Sequence, residues 1–199
     1  MDRISVSRNG IPVINSGSLI IPHGSLISIF GRSGSGKSSL ARALFLSMRE
    51  SGMNVCLLRQ RPGPVSSLVV ESISLQGIDS IDFSHLLECS NSAGLDSNLL
   101  NDSFSSTREV STLSGGQLQR LDLARTFYSE FDYIILDEFT SALDSNTEMQ
   151  ILENLSTKCR VDGLTVICFS HRAAVKSFSS YSYLIAEETV TCSHPNDMI

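Results

Sequence analysis

An α/β fold with a mostly parallel β-sheet is predicted by three features of the sequence. Short apolar runs recur along the chain, and helix-forming stretches separate most of the later runs. This alternation is typical of a parallel sheet, because each helix returns the chain to the edge where the previous strand began. The third feature is a pair of early turn signals, Asn9-Gly10 and His23-Gly24, which predict turns between short strands near the start.

Local patterns place the individual elements. An apolar run predicts a buried strand over 25–30, and helical periodicity predicts a helix over 38–49 that ends at Ser51-Gly52. The same patterns predict strands over 54–58, 133–137, 164–170 and 181–187, and helices over 116–128, 145–157 and 172–178.

The serine-rich segment 61–112 differs from the rest of the chain. Its helix-like pieces lie at 68–76, 81–89 and 95–101, and it carries two arginines against seven carboxylates, a net charge of −5. We therefore expect a single domain over 1–199, in which 1–60 and 113–199 form the core and 61–112 forms a helical subdomain.

Composition excludes several classes of protein. No apolar run approaches the roughly 18 residues that a membrane-spanning helix needs, and the first ten residues lack the apolar core of a signal peptide. We therefore expect a soluble, cytoplasmic chain. A net charge of −6 argues against non-specific nucleic-acid binding. Five cysteines without CxxC spacing predict reduced thiols rather than disulfides or a zinc site.

A phosphate-binding loop is predicted between the strand at 25–30 and the following helix. The stretch "GRSGSGKS" matches GxxxxGK[ST], in which backbone N–H groups and the helix N-terminus bind phosphate oxygens. Lys37 is expected to reach the β- and γ-phosphates, and the Ser38 hydroxyl to bind Mg²⁺. The alternative is an ordinary serine- and glycine-rich turn. The predicted phosphate-contacting residues are Gly31, Arg32, Ser33, Gly34, Ser35, Gly36, Lys37, Ser38 and Ser39.

Two acidic residues follow the apolar run at 133–136 in "YIILDE". The run places Asp137 at the carboxyl end of a buried strand, the edge where ligands bind in open α/β sheets. Asp137 is predicted to hold Mg²⁺, and Glu138 to polarise an attacking water molecule. Taken alone, the pair could equally be two solvated acids at a strand end.

Residues 113–117, "LSGGQ", lie between the phosphate loop and "YIILDE". With these three motifs in this order, the chain resembles the ATP-binding cassette (ABC) ATPase family over nearly its whole length. The stretch matches the signature motif of that family. Gln60 resembles its Q-loop glutamine, residues 141–144 resemble its D-loop, and His171 resembles its switch histidine. The resemblance implies a P-loop NTPase fold with a small antiparallel β subdomain and a helical subdomain that carries the signature motif.

The resemblance also implies cofactors and roles. ATP and Mg²⁺ are the expected cofactors. Glu138, His171 and Gln60 are the expected catalytic residues, and Ser38, Gln60 and Asp137 the expected Mg²⁺ contacts. In this family two cassettes pack head to tail, so that the signature of one closes over the γ-phosphate of the other. That role falls here to Ser114, Gly115, Gly116 and Gln117.

The chain departs from the family pattern at three places. Arg8 stands near the position where the family carries an adenine-stacking aromatic residue, and Phe139 stands where it mostly has proline. Only about 21 residues separate Ser38 from Gln60, where relatives place an extra β-hairpin. The resemblance leaves the selectivity for the base open.

The expected function is that of an ATP-hydrolysing subunit of an ABC transporter. It would pair with an identical or a different second cassette and bind separate transmembrane subunits at the inner face of the cell membrane, with 61–112 receiving them. The alternative is a soluble ABC-type ATPase without a transport role, such as an assembly factor or a regulator.

Overall fold

The computed structural model describes residues 6–8, 11–14, 16–59, 65–96, 100 and 109–193. The chain divides into two compact units. The sheet unit comprises residues 1–59, 132–140 and 155–199, and the helical unit comprises residues 60–131 and 141–154.

A seven-stranded sheet forms the centre of the sheet unit. Its strands are β3 (Ser16–Gly17), β4 (Leu26–Gly31), β5 (Val55–Leu58), β6 (Tyr133–Asp137), β7 (Thr165–Ser170), β8 (Tyr181–Ala186) and β9 (Thr189–Ser193). They lie in the order β3-β9-β8-β4-β7-β6-β5, and only β8 and β9 pair antiparallel. Strands β1 (Val6–Arg8) and β2 (Ile11–Ile14) form a separate antiparallel pair.

Helix α1 (Lys37–Glu50) covers one face of this sheet. Its buried residues Leu40, Leu44 and Met48 recur every four positions, which places them on one side of the helix. They pack against alternate residues of the strands, among them Ile29 and Ile135. Burial of each such side chain contributes about 1.5–3 kcal/mol, so this layer fixes where α1 begins relative to the strand ends.

The helical unit contains α2 (Val69–Ser74), α3 (Phe83–Ser92), α4 (Gly115–Tyr128) and the first part of α5 (Ser145–Asp162). Helix α4 packs against both α2 and α3. The Arg125 side chain links α4 to α2, because its Nε donates to the carbonyl of Ser72 at 2.6 Å while its Nη1 pairs with Asp122 at 2.7 Å. Asp82 caps the start of α3 by accepting from two backbone N–H groups.

The structure confirms the predicted mixed α/β fold. Helix α5 runs five residues beyond the predicted end at 157, because buried residues continue at the helical spacing through Leu155 and Cys159. Strand β9 was not predicted. The third helix-like piece, 95–101, falls largely outside the described residues. The division at residues 61 and 113 stays a prediction, and the helical unit also holds α4.

The five cysteines all lie in the described ranges, and none forms a disulfide bond. Burial raises the pKa of the Cys159 thiol to about 11, which keeps it protonated and unreactive.

Within the described part of the chain, no helix has the length and apolar character to cross a membrane. The remaining element, α6 (Ala173–Phe178), links β7 to β8.

The turn between β8 and β9 carries backbone strain. Ala186 pairs with Thr189, so only Glu187 and Glu188 connect the strands. Both have a left-handed backbone, with φ of 48° and 60°. Two-residue turns of this kind favour Asn-Gly, because most side chains clash with the backbone in that conformation.

Replacing both residues, Glu187→Asn with Glu188→Gly, is expected to raise the free energy of unfolding by about 1 kcal/mol because it relieves this strain. Denaturant unfolding measures the change. The control is Glu187→Gln with Glu188→Gln, which removes the same two charges and keeps the strain, so its stability should change by less than about 0.5 kcal/mol. Equal stability of the two double variants would contradict the strain.

Candidate functional site

The candidate site lies where parallel strands of the sheet unit end. Strands β4, β6 and β7 run in the same direction, so their carboxyl ends share one edge of the sheet. Gly31 ends β4, Asp137 ends β6, and His171 follows β7 directly. Residues more than 130 positions apart in the sequence are thereby brought to one edge.

The phosphate loop connects β4 to α1 through a tight backbone path. Gly36 precedes α1 with a φ of 95°, a conformation that favours glycine. A side chain at Gly31 would lie 2.5 Å from Ser35 Oγ and 3.0 Å from the carbonyl oxygen of Ile185. The loop therefore requires glycine at both positions, and it delivers the N-terminus of α1 to the carboxyl edge of the sheet.

Lys37 is the first residue of α1, and its side chain turns back into the loop. It is only 5% exposed. Its Nζ donates to the carbonyl oxygens of Gly31 at 2.8 Å and Arg32 at 3.0 Å, and it lies 3.6 Å from Glu138 Oε1. These oxygens compensate the ammonium for the water it loses on burial, and they join the loop to the end of β6.

Ser38 and Asp137 form the second link between α1 and β6. The Ser38 hydroxyl donates to Asp137 Oδ1 at 3.1 Å. Burial raises the pKa of the Asp137 carboxyl, and the neighbouring carboxylate of Glu138 raises it further, while the Ser38 hydrogen bond and the charges of Lys37 and Arg59 oppose the rise. Two oxygen donors of the kind that Mg²⁺ prefers thus stand side by side.

Glu138 has a left-handed backbone with a φ of 52°, which costs on the order of 1 kcal/mol for a glutamate. Its N–H donates to the carbonyl oxygen of Phe169 at 3.0 Å, which holds this conformation against β7. The carboxylate then lies 3.9 Å from Nδ1 of His171, whose side chain is 60% exposed. The backbone therefore aims the Glu138 carboxylate between Lys37 and His171.

Phe139 follows this strained residue and is 1% exposed. A proline at position 139 would disfavour a helical-type backbone at the residue before it. Phenylalanine imposes no such restriction, so this departure from the family pattern is compatible with the backbone observed at Glu138.

The loop fits a bound phosphate group. The Ser35 hydroxyl is buried and finds no hydrogen-bond partner within the described residues, and a Cβ at Gly31 would fill the space beside it. The described residues contain no cluster of three or more His, Cys, Asp and Glu side chains that could hold a metal by itself. The donors that are present suit Mg²⁺, which binds one or two protein oxygens and completes its shell with phosphate and water.

The signature residues lie at the start of α4 in the helical unit. Ser114 caps the helix: its Oγ accepts from the N–H of Gln117 at 3.3 Å, and Gln117 Oε1 accepts from the N–H of Ser114 at 2.8 Å. Among the residues that the structure describes, none accepts the Ser114 hydroxyl hydrogen. A side chain at Gly115 would meet nothing within 4 Å, whereas one at Gly116 would lie 3.3 Å from the carbonyl oxygen of Ala142.

The structure places the other predicted site residues as follows. The Arg32 carbonyl binds Lys37, as described above, while Ser33 lies exposed in the loop and Ser39 is half-buried in the first turn of α1. Gln60 lies outside the described residues. Arg8 lies on β1, and its contact with the base stays a prediction.

Two features of the candidate site are visible only in the structure. The carbonyl of Phe169 that holds Glu138 is a backbone group, which has no residue signature. Ser35 is among the predicted phosphate contacts, but only the burial of its unpartnered hydroxyl distinguishes it from the other serines of the loop. Asp144 caps α5 by accepting from the N–H groups of Asn146 and Thr147.

Comparisons with known proteins identify the family of this chain. The sequence model of the ABC transporter family matches residues 14–141, which is more than half of the chain. An uncharacterised ABC transporter ATP-binding protein of Synechocystis is 36% identical over 81% of this chain, and a methionine import ATP-binding protein of Yersinia pestis is 33% identical over 89%. The chain spans 25% and 62% of the lengths of these two relatives.

A solved structure supports the fold independently. A dimeric ATP-binding cassette bound to ADP and phosphate superposes on 96% of this chain and 95% of its own with a TM-score of 0.77, at 22% sequence identity. Family match, relatives and fold agree, and the chain belongs to the ABC transporter family, of which it represents the ATP-binding cassette.

Proposed function

We propose that this chain binds and hydrolyses ATP as the nucleotide-binding subunit of an ABC transporter. The observation that carries the proposal is the grouping of Lys37, Ser38, Asp137 and Glu138 at the carboxyl edge of the sheet, joined by contacts of 3.1 and 3.6 Å. Relatives named as transporter ATP-binding proteins support it.

In this proposal the loop over residues 31–39 holds the nucleotide phosphates. The N-terminus of α1 offers backbone N–H groups to the phosphate oxygens, and the helix dipole favours their negative charge. The Ser35 hydroxyl gains the partner that it lacks within the described residues. Lys37 exchanges part of its contact with carbonyl oxygens for the β- and γ-phosphates.

Ser38 and Asp137 are the residues that would hold Mg²⁺, with Gln60 as the third predicted contact. When bound, the ion would neutralise phosphate charge and fix the geometry of the terminal phosphate. Asp137 keeps its place for this role through the Ser38 hydrogen bond. The raised pKa of its carboxyl is what an acid gains when it is held out of water at a strand end.

Glu138 would orient the water that attacks the terminal phosphate, and accept its proton. The left-handed backbone and the Phe169 hydrogen bond support this role, because they fix the direction of the carboxylate before substrate binds. His171 would contact the terminal phosphate from the end of β7. Its exposed ring and its distance of 3.9 Å from Glu138 leave it free to do so.

The signature residues would complete the site of a second cassette, either a copy of this chain or a different one. Ser114 has a hydroxyl hydrogen to donate, and Gly115 presents a bare N–H at the start of α4. These groups bind anions. The dimeric cassette of the same fold supports this arrangement.

The helical unit would receive the transmembrane subunits, which would hold the chain at the inner face of the membrane. It carries an open groove of about 440 Å³ lined mainly by apolar surface, among it Val65, Val110, Leu113 and Leu118. The acidic side chains of Asp79, Asp82 and Glu88 are exposed. Leu86 of α3 is fully buried, so it offers no surface for docking.

Glu138→Gln is expected to lower the rate of ATP hydrolysis by on the order of 10²–10⁴, because the amide cannot accept the proton of the attacking water. ATP affinity should be retained. Phosphate release and calorimetric titration measure the two quantities. Glu50→Gln, at the exposed end of α1, is the matched control and should hydrolyse ATP at the wild-type rate. A hydrolysis rate of Glu138→Gln within threefold of wild type would contradict the proposal that Glu138 accepts the proton of the attacking water.

Asp137→Asn is expected to raise Tm at pH 7 in EDTA. A raised pKa means that the folded chain holds the proton more tightly than the unfolded chain, so the ionised carboxylate opposes folding. The free-energy cost of the ionised carboxylate is absent below pH 3.8, the ordinary pKa of an aspartate carboxyl. The cost sets in as the pH rises through the pKa that Asp137 has in the folded chain.

Thermal unfolding at a series of pH values tests this expectation. The Tm difference between Asp137→Asn and wild type should close as the pH falls below 3.8. Asp132→Asn, an exposed change one strand-length away, should show no such difference. An Asp137→Asn chain no more stable than wild type at pH 7 would contradict the cost of the buried acid.

Replacing the exposed acids of the helical unit, Asp79→Asn with Asp82→Asn and Glu88→Gln, is expected to release the chain from membranes of its host cell. The lost charge weakens steering toward a basic partner loop. Asn retains the cap of α3, since it caps helices as well as Asp does. The control, Glu50→Gln with Glu187→Gln and Glu188→Gln, removes three charges from the sheet unit. Equal sedimentation of both triple variants with membranes would show that these charges do not determine docking.

A further inference from the structure

Arg59 continues the residue alternation that builds the core beneath α1. On β5, Val55 is buried and Leu57 half-buried in the cluster that also holds Leu44 of α1. Successive residues of a strand point to opposite faces. Arg59, two positions after Leu57, therefore continues this face beyond the end of β5.

Strand β6 carries the same alternation, and the register aligns the two strands. Val55 pairs with Tyr133 and Leu57 with Ile135. The next positions on this face are Arg59 and Asp137. Neighbouring strands lie about 4.8 Å apart, so continuing this register by one position places the backbone of Arg59 next to that of Asp137, whose carboxylate accepts from the Ser38 hydroxyl.

The electrostatics agree with this placement. Burial is the main cause that raises the pKa of Asp137, and the charge of Arg59 is among the causes that lower it. Arg59 is exposed, and its guanidinium forms no ion pair or hydrogen bond to the residues that the structure describes. The charge of Arg59 therefore acts on Asp137 without an ion pair between the two side chains.

The charge at this edge is unbalanced for a polyphosphate. Two carboxylates, Asp137 and Glu138, face one buried ammonium, that of Lys37. A triphosphate adds several negative charges to the same place. A guanidinium suits phosphate oxygens because its planar N–H groups bind two of them at once.

We propose that Arg59 is a further phosphate-binding residue of this site, and that its guanidinium contacts the terminal phosphate of the nucleotide from the β5 side. The inference rests on the proposed function, since it adds a residue to the same nucleotide site. The contact discriminates ATP from ADP, and it contributes most when no divalent cation shares the phosphate charge.

Calorimetric titration of ATP and of ADP in EDTA at low salt tests the inference, because it measures binding without hydrolysis. Arg59→Ala is expected to weaken ATP binding about tenfold, as loss of a charge-assisted hydrogen bond does, and ADP binding less than about threefold. Arg59→Lys keeps the charge but not the paired N–H groups of a guanidinium. Its ATP affinity should therefore lie between those of wild type and Arg59→Ala. Arg160→Ala, an exposed change near the end of α5, is the control and should bind ATP as wild type does.

Two outcomes overturn the inference. ATP affinity in Arg59→Ala equal to wild type does so, because Arg59 would then make no contact with the phosphate. Equal losses for ATP and ADP also do so, because the contact would lie away from the terminal phosphate. Lys37→Ala separates this from failure of the proposed function. Wild-type binding that is lost in Lys37→Ala but kept in Arg59→Ala removes only the role of Arg59, whereas a wild-type chain that binds no ATP removes the proposed function as well.

Discussion

The buried ammonium of Lys37 is the contact on which the candidate site depends. At 5% exposure it requires oxygen partners, and it takes them from two carbonyls of the loop and from the Glu138 carboxylate. This one group therefore draws together the end of β4, the start of α1 and the end of β6. Without it, the loop would lose the two hydrogen bonds that Lys37 Nζ donates to its carbonyls, and Glu138 would lose its nearest positive charge.

The parallel sheet determines what else can join the site. Strands β4, β7, β6 and β5 are parallel neighbours, so polar residues at or directly after their carboxyl ends share the edge that holds the phosphate loop. Asp137 at the end of β6 and His171 directly after β7 reach the site in this way, and we propose the same for Arg59 after β5. The signature residues belong to the other unit, where Ser114 and Gly115 offer donors at a helix start. We propose that a second chain supplies their anion.

Much of the fold and most of the candidate site could be predicted from contiguous patterns. Residues 31–38 identify the loop, and residues 133–138 identify the acidic strand end. In both cases the residues that carry the chemistry are adjacent in the sequence, and the flanking apolar runs identify the strands and the helix. The remainder depends on three-dimensional facts. The left-handed backbone of Glu138 and its bond to Phe169 have no residue signature. Strand β9 was missed because its turn is Glu187-Glu188 rather than Asn-Gly. The place of Arg59 follows only from the register of β5 with β6.

The central claim, that each nucleotide site is shared between two chains, is tested most directly by mixing two inactive variants. Lys37→Ala removes the loop cation. Gly115→Asp puts a carboxylate where the phosphate of the other chain would lie, and a side chain there meets nothing in its own chain. Random pairing gives half of the dimers one intact site, so an equal mixture should recover about a quarter of wild-type ATP hydrolysis. A mixture no more active than the mean of the two variants, at every ratio, would contradict a site shared between two copies of this chain.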